Sequence, residues 1–384
     1  MSEAIEQAII HRSPLDETHR RLGASFEERD GWALPASYGD QLAEYKIVRE
    51  GGAGLIDLSS RGLVEVSGTE AVPFLNGLIT NDVKTLEEGA WMLAAFPNAQ
   101  GRLIAFARVL RRGRSYLFDT EAATRAKVLK TLERFTLAGD FRVADLTDET
   151  ARLSVQGARA AEVIGATLGE GFALEVERGR IRAAEWNGQT AHLIRATQTG
   201  EDGFDIFISA EQAPSMWESL VEQGARPVGF DALETLRIEA GLPRYGLDMD
   251  ESNVVTETGQ EDEAVSYTKG CYIGQEIIAR IHWRGHVAKR LAGLSFDDAG
   301  EVRRGASVKS TEDKEIGRIT SCAFSPRLNR AIALAYIKYD YLAPGTHARV
   351  VSDNGTLAAR VHELPFVRGG WHEESASGAE QPKA

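Results

Sequence analysis

A strand–glycine–helix unit occurs twice in this sequence, and that repetition most limits how the chain can fold. Leu63-Val64-Glu65-Val66 alternates apolar and polar positions, as a half-buried strand does. Ser67-Gly68-Thr69 follows, with Ala71, Phe74, Leu75 and Leu78 at helical spacing, so a helix capped by that triplet is expected. Leu153-Ser154-Val155-Gln156-Gly157 and an Ala-rich helix ending at Leu168 repeat the order. Two α+β units on one plan are implied. At 384 residues the chain exceeds what one core usually organises, so two or three domains are expected.

The rest of the pattern fits around these units. Residues 1–45 read as polar and helix-rich, with a helix from Ser13-Pro14 to Leu22 and a loop over residues 30–35 anchored by Trp32. A helix over residues 44–50 ends at Gly51-Gly52. Because those glycines follow a helix and not a strand, they do not form a phosphate cradle. Strands are expected at residues 90–96, 103–110 and 115–119, then a helix over 121–135. Strands at 181–185, 191–196 and 204–208 precede helices over 211–222 and 231–240, the second stopped by Gly241 and Pro243. After Arg290 the character changes to six short β runs separated by Asp-, Gly- and Pro-rich turns, which suggests a small antiparallel barrel. The polar stretch from Gly369 onward reads as disordered. The expected fold is therefore α+β. Its domains are residues 1–150, 151–290 and 291–368, with a tail at 369–384.

Composition narrows the function. A formal charge of −13 argues against direct nucleic-acid binding, which needs a basic face to displace counterions. Two distant cysteines, Cys271 and Cys322, offer no disulfide framework and suit a reducing cytoplasm. Cys322, inside a β run, reads as core. The opening M-S-E-A-I-E-Q lacks the basic and apolar regions of a signal peptide, and no apolar run approaches a membrane span.

Residues 266–290 are the part that folding alone does not explain. Cys271 stands between Gly270 and Tyr272, with Gly274 three residues on, which presents the thiol in a turn. The alternative is a cysteine that merely packs. Ile277, Ile278, Ala279, Ile281 and Trp283 then read as a strand. Lys269, Arg280, Arg284, Lys289 and Arg290 face one acid, Glu276, making a basic island in an acidic chain. His282 and His286 do not read as zinc ligands, because Gly285 breaks a helix that would align them. No metal site is expected.

Lys269-Gly270-Cys271-Tyr272-Ile273-Gly274-Gln275-Glu276 resembles the K-G-C-Y-x-G-Q-E motif of the YgfZ family. Those folate-binding proteins are implicated in assembly or repair of iron–sulfur clusters and share a fold with the glycine-cleavage T-protein (GcvT), an aminomethyltransferase. The resemblance implies a ring of two α+β domains and a C-terminal barrel around a cavity for tetrahydrofolate. Cys271 would be its working residue, acting on a transient cluster or a partner, with Lys269 and the nearby arginines favouring the thiolate.

Other segments carry the same likeness. Thr199-Gly200-Glu201-Asp202-Gly203-Phe204-Asp205 resembles a segment whose last acid grips the pterin ring, although Asp205 is one methylene shorter than the family's Glu. The alternative is a charged residue opening a strand. Arg237, in L-R-I-E-A-G-L, resembles an arginine that faces folate, the alternative being a surface pair with Glu234. Trp32 is either a cavity wall or a hydrophobic plug. Arg280 and Arg284 are expected to meet a polyglutamate tail. One departure is decisive for chemistry. After the turn Asn98-Ala99-Gln100-Gly101, Ala105 and Phe106 stand where T-proteins carry carboxylates, and Leu93 replaces a tyrosine. Neither a methyl nor a phenyl group transfers a proton. The implied function is thus a folate-binding accessory to iron–sulfur enzymes or cluster carriers. The alternatives are a folate-dependent aminomethyltransferase-like protein and a docking scaffold.

Overall fold

The computed structural model describes residues 10–137, 139–169, 176–297, 301–352 and 355–372. Strands β1 (His11–Arg12), β2 (Ser25–Arg29) and β3 (Trp32–Ser37) form a small sheet in the order β1-β3-β2, with helix α1 (Asp16–Arg21) between β1 and β2. This corrects the helix-rich reading of the segment, as far as its described residues go, and the loop assigned around Trp32. Arg29 pairs with Trp32 across Asp30-Gly31, and both turn residues have positive φ. That Asp-Gly step is a hairpin turn whose twist matches the strands it joins. Helix α2 (Gln41–Arg49) follows, with the Asp40 carboxylate accepting from the N–H groups of Leu42 and Ala43, and then β4 (Gly54–Asp57).

The first α+β unit comprises β5 (Gly62–Ser67), α3 (Ala71–Leu78), β6 (Trp91–Pro97), β7 (Leu103–Arg112), β8 (Ser115–Thr120), α4 (Ala122–Glu133) and β9 (Arg142–Asp145). Its strands lie in the order β6-β7-β8-β5-β9. No side chain caps α3. Thr69 instead bonds Asp140, through its N–H at 3.0 Å and its hydroxyl at 3.3 Å, so its polar groups are spent across the unit. The second unit comprises β10 (Thr150–Gln156), α5 (Ala160–Leu168), β11 (Ile181–Trp186), β12 (Gln189–Arg195), β13 (Gly203–Ser209), α6 (Ala213–Glu222), β14 (Arg226–Pro227) and α7 (Phe230–Glu239). Its sheet runs β11-β12-β13-β10-β4-β14. Because β4 precedes residue 58 yet pairs with β10, the sheets do not follow a linear split at residue 150.

Helices α8 (Glu261–Ala264) and α9 (Gln275–Arg284) lead to β15 (Lys289–Phe296), β16 (Ser307–Ser310), β17 (Glu315–Ser325), β18 (Arg330–Lys338), β19 (His347–Ser352) and β20 (Gly355–His362). These six strands close into an antiparallel barrel around Leu294, Phe296, Val308, Ile316 and Ile337. The strand expected over residues 277–283 is helix α9. Its apolar run wraps one flank, with Ile278 fully buried while Trp283 is 68% exposed. Residues 369–372, expected to be disordered, are ordered: Trp371 donates its N–H to the Gly200 carbonyl at 3.2 Å. The rest of that tail lies outside the described residues. Among the described residues no helix is long and apolar enough to cross a membrane.

Candidate functional site

A cavity of about 810 Å³ opens where both α+β units meet the barrel. Strand alternation decides what faces it. On β7, Leu103, Ala105, Ala107 and Val109 are buried, whereas the half-buried Phe106 and Arg108 project from the opposite face to line the cavity. Ala105 is wholly enclosed, so Phe106 is the residue that occupies the position facing the cavity. Trp91 and Leu93 on β6 pair with Leu110 and Arg108 and extend the apolar wall. The indole Nε1 of Trp91 is buried and has no hydrogen-bond partner among the described residues. The far side is built by Tyr245, by Arg290 to Ala292 of β15, and by Trp371, whose ring lies 3.7 Å from the Arg178 guanidinium.

Under this wall lies a buried ion network that joins the two sheets. Arg152 bridges Asp119 on β8 and Asp205 on β13, the latter at 2.6 Å. Arg61 reaches Asp119 at 2.8 Å and also pairs with Glu121, while Arg108 reaches Asp205 at 2.5 Å. Gln198 donates to the same Asp205 oxygen at 2.9 Å. Burial pushes the Asp205 carboxyl up, but Arg152 and Arg108 outweigh it, and the group lies far below the usual carboxylate range. Asp205 is fully buried and is not a wall of the cavity; Arg108 and Gln198 are.

Other expected site residues lie elsewhere. Arg237 is also off the cavity wall. It is 3% exposed and bonds Glu234, Asp248 and Ser321, so the pairing with Glu234 is present but buried. Trp32 packs with Leu34, Tyr45 and Val48 as a plug and does not line the cavity. Arg280 and Arg284 are exposed on α9, again away from it. Arg290 alone of the basic island lines the cavity, paired with Glu261 at 2.8 Å.

The motif around Cys271 is mostly architectural. Lys269 is 7% exposed, and its ammonium donates to the carbonyls of Ile79 and Asn81 at 2.8 and 2.6 Å, just past the end of α3. Burial pushes its pKa down to about 8. Two of its N–H donors are thereby engaged by main-chain carbonyls. Tyr272 is core. Gly274 has φ +78°, and a Cβ there would lie 2.4 Å from the Asn98 carbonyl oxygen. Gly101, at φ +71°, approaches Ile277 in turn. The Asn98–Gly101 turn and the Cys271 motif, distant in sequence, thus meet in space. Gln275 and Glu276 open α9, where an acid suits the positive end of the helix. Nothing in the fold requires Gly270, whose φ is not left-handed and around which a Cβ would meet nothing. Cys271 itself is exposed but does not line the cavity. Cys322 packs against the barrel core, and burial raises its thiol pKa. His282 stacks on Tyr267 at 3.7 Å and His286 on Tyr339 at 3.9 Å, which parts the two imidazoles.

Arg108, Gln198 and Trp91 were missed in the sequence. The available signal was a charge inside an otherwise apolar strand, as at Arg108 between Ala107 and Val109, or Arg152 between Ala151 and Leu153.

Two α+β units and a closed barrel around one deep cavity define the class of the glycine-cleavage T-proteins, and the chain belongs to that family. The GCVT N-terminal domain matches residues 15–268 and the glycine cleavage T-protein C-terminal barrel domain matches residues 289–368. An aminomethyltransferase of Rubrobacter xylanophilus is 35% identical over 367 residues, covering 95% of this chain and 96% of that protein. One from Xylella fastidiosa is 33% identical over 368 residues, covering 94% and 98%. The crystal structure of the glycine cleavage system aminomethyltransferase T from Bartonella henselae superposes with a TM-score of 0.86 at 26% identity, covering 94% of this chain and 98% of that one. The relatives' names point to aminomethyltransferases and do not confirm the narrower YgfZ likeness.

Proposed function

We propose that this chain binds tetrahydrofolate in the 810 Å³ cavity and serves folate-dependent one-carbon chemistry. The observation that carries the reading is the cavity's make-up: flat apolar walls at Trp91, Leu93 and Phe106 beside polar groups at Arg108 and Gln198. A pterin is flat and carries an amide-like polar edge, so it fits such a slot, whose size is that of a small-molecule site. Asp205 enters only indirectly: it holds Arg108 and Gln198 in place, and its own carboxylate is already engaged.

When bound, the folate would supply the carrier for the one-carbon unit. The chain's residues would bind the ring, exclude water and orient the carrier. They would not transfer a proton from β7, because Phe106 faces the cavity there. Glu121, a carboxylate in the cavity wall, is paired with Arg61. Titration of tetrahydrofolate against tryptophan fluorescence, with an aminomethyl-transfer assay on the same preparation, tests the reading. Saturable quenching without turnover is expected. Absence of quenching at millimolar ligand defeats it, whereas turnover would assign full aminomethyltransferase activity with its acid elsewhere.

A second reading rests on Cys271, a solvent-facing thiol beside an unobstructed Gly270. It would make the chain an accessory for assembly or repair of iron–sulfur clusters, with cluster enzymes or carriers as partners. Cys271→Ser should then lower cluster-enzyme activity in cells while leaving tetrahydrofolate affinity unchanged. Wild-type cluster-enzyme activity in that variant removes this reading.

A further inference from the structure

After β20 the chain leaves the barrel and crosses to the second α+β unit, and this crossing walls the cavity. Leu364, Pro365, Trp371 and His372 all line it. We propose that residues 369–372 are a strap that releases to admit the ligand and closes over it, with Trp371 bearing on the ligand, an inference that rests on the folate reading above.

The crossing has two parts of different character. Its first half is held by apolar burial. Phe366 is 8% exposed and packs with Ile238, Leu291 and Tyr336, and Leu364 and Val367 join the same cluster. The Val367 N–H donates to the Glu239 carbonyl at 3.0 Å. Beyond this root the contacts turn polar. The Gly370 N–H donates to the Glu201 carboxylate at 2.8 Å, and the Trp371 N–H to the Gly200 carbonyl at 3.2 Å. The Arg178 guanidinium donates to the Trp371 carbonyl at 2.5 Å and lies 3.7 Å from the centre of its ring. A net hydrogen bond is worth about as much as the order it imposes on one residue, so a segment held in this way sits near balance. The buried Phe366 keeps the root in place.

Gly369 shows how closely the strap fits its seat. It is buried, whereas Arg368 before it is exposed. A Cβ on Gly369 would lie 2.5 Å from both the Glu201 carboxylate and the Gly200 carbonyl oxygen, and Arg49 fixes Glu201 through an ion pair of 2.6 Å. A side chain there would keep the strap out of its seat.

The seat is also part of the ligand wall. Thr197, Gln198 and Gly200 line the cavity from one loop between β12 and β13. The carbonyl that accepts from Trp371 therefore stands two residues from the Gln198 side chain assigned to the ligand. A ligand held by Gln198 steadies the loop onto which the strap latches, and the latched strap holds that loop in turn. The indole of Trp371 adds an aromatic surface to a slot for a flat ring, which favours stacking.

Dissociation of radiolabelled tetrahydrofolate into excess unlabelled ligand, and trypsin cleavage after Arg368 followed by mass, test the proposal in the full chain. Trp371→Ala should release the ligand about tenfold faster, the loss of one stacked aromatic contact, and Trp371→Phe should keep the wild-type rate. Gly369→Ala should also release it faster, because its methyl bars the seat. Trypsin should cut wild type after Arg368 more slowly at saturating tetrahydrofolate, and cut Gly369→Ala at one rate with or without it. Wild-type dissociation from both alanine variants, or cleavage of wild type that ignores a ligand shown to bind, overturns the strap. If wild type binds no tetrahydrofolate, the folate reading itself falls, and this one with it.

Discussion

Replacing Arg152 with Met is the sharpest perturbation of the frame beneath the cavity. The side chain is 4% exposed and lies between Asp119 and Asp205, which are 1% and 0% exposed. Removing one partner of a buried ion pair costs roughly 3–5 kcal/mol, because an uncompensated charge stays behind. Here Asp119 keeps Arg61 and Asp205 keeps Arg108, so the loss belongs near the lower end, about 3 kcal/mol at pH 7. Burial raises both carboxyl pKa values, but Arg152 and its neighbours outweigh that and hold both below the ordinary value of 3.8. A depressed carboxyl pKa stabilises the fold above the unfolded value, and that contribution is lost as pH falls through the folded one. Without Arg152 both folded values rise, so protonation relieves the variant before it affects wild type. The stability difference should thus be largest at pH 7 and shrink toward pH 4. Urea unfolding of both proteins at the two pH values measures it. A difference under about 1 kcal/mol at pH 7, or one that does not change with pH, refutes the reasoning.

Three further predictions concern the Cys271 motif and a half-buried imidazole of β12. Gly274→Ala, which puts a Cβ 2.4 Å from the Asn98 carbonyl oxygen at φ +78°, should cost about 2 kcal/mol or more in urea unfolding. Gly270→Ala, with open space around it, should change stability by less than about 0.5 kcal/mol. His192 is held neutral, chiefly by burial and then by Arg112, with its pKa pushed down to about 4 from the ordinary 6.5. The unfolded chain takes up a proton in that window and the folded chain does not, so stability should fall as pH drops from 6.5 toward 4. Unfolding midpoints of His192→Gln across that range should show a shallower slope than wild type; an identical slope contradicts the assignment.

The barrel strands and the β6–β7–β8 run were legible because alternation marks a half-buried strand with little competition. The hairpin of β2 and β3 was not, since β2 has Phe26 as its one apolar residue and only the Asp30-Gly31 step betrays the turn. Helix α9 misled for the opposite reason. Its Ile277, Ile278, Ala279 and Ile281 look like a strand, but the helix packs one flank on the Asn98–Gly101 turn and leaves Trp283 outside. That turn and the Cys271 motif are about 170 residues apart, and no local pattern states that they touch. The ion network has the same character. Arg108 and Arg152 are marked as charges inside apolar strands, but their pairing with Asp119 and Asp205 exists only once the two sheets are docked, and it engages the Asp205 carboxylate instead of leaving it open to a ligand.

Hydrogen exchange with and without tetrahydrofolate tests the central claim most directly, because it locates the ligand as well as detecting it. Protection should rise over residues 91–110 of β6 and β7, and over residues 240–245 beside Tyr245, with little change over residues 266–284 around Cys271. Protection confined to that last segment, or none at saturating ligand, would contradict the assignment of the cavity.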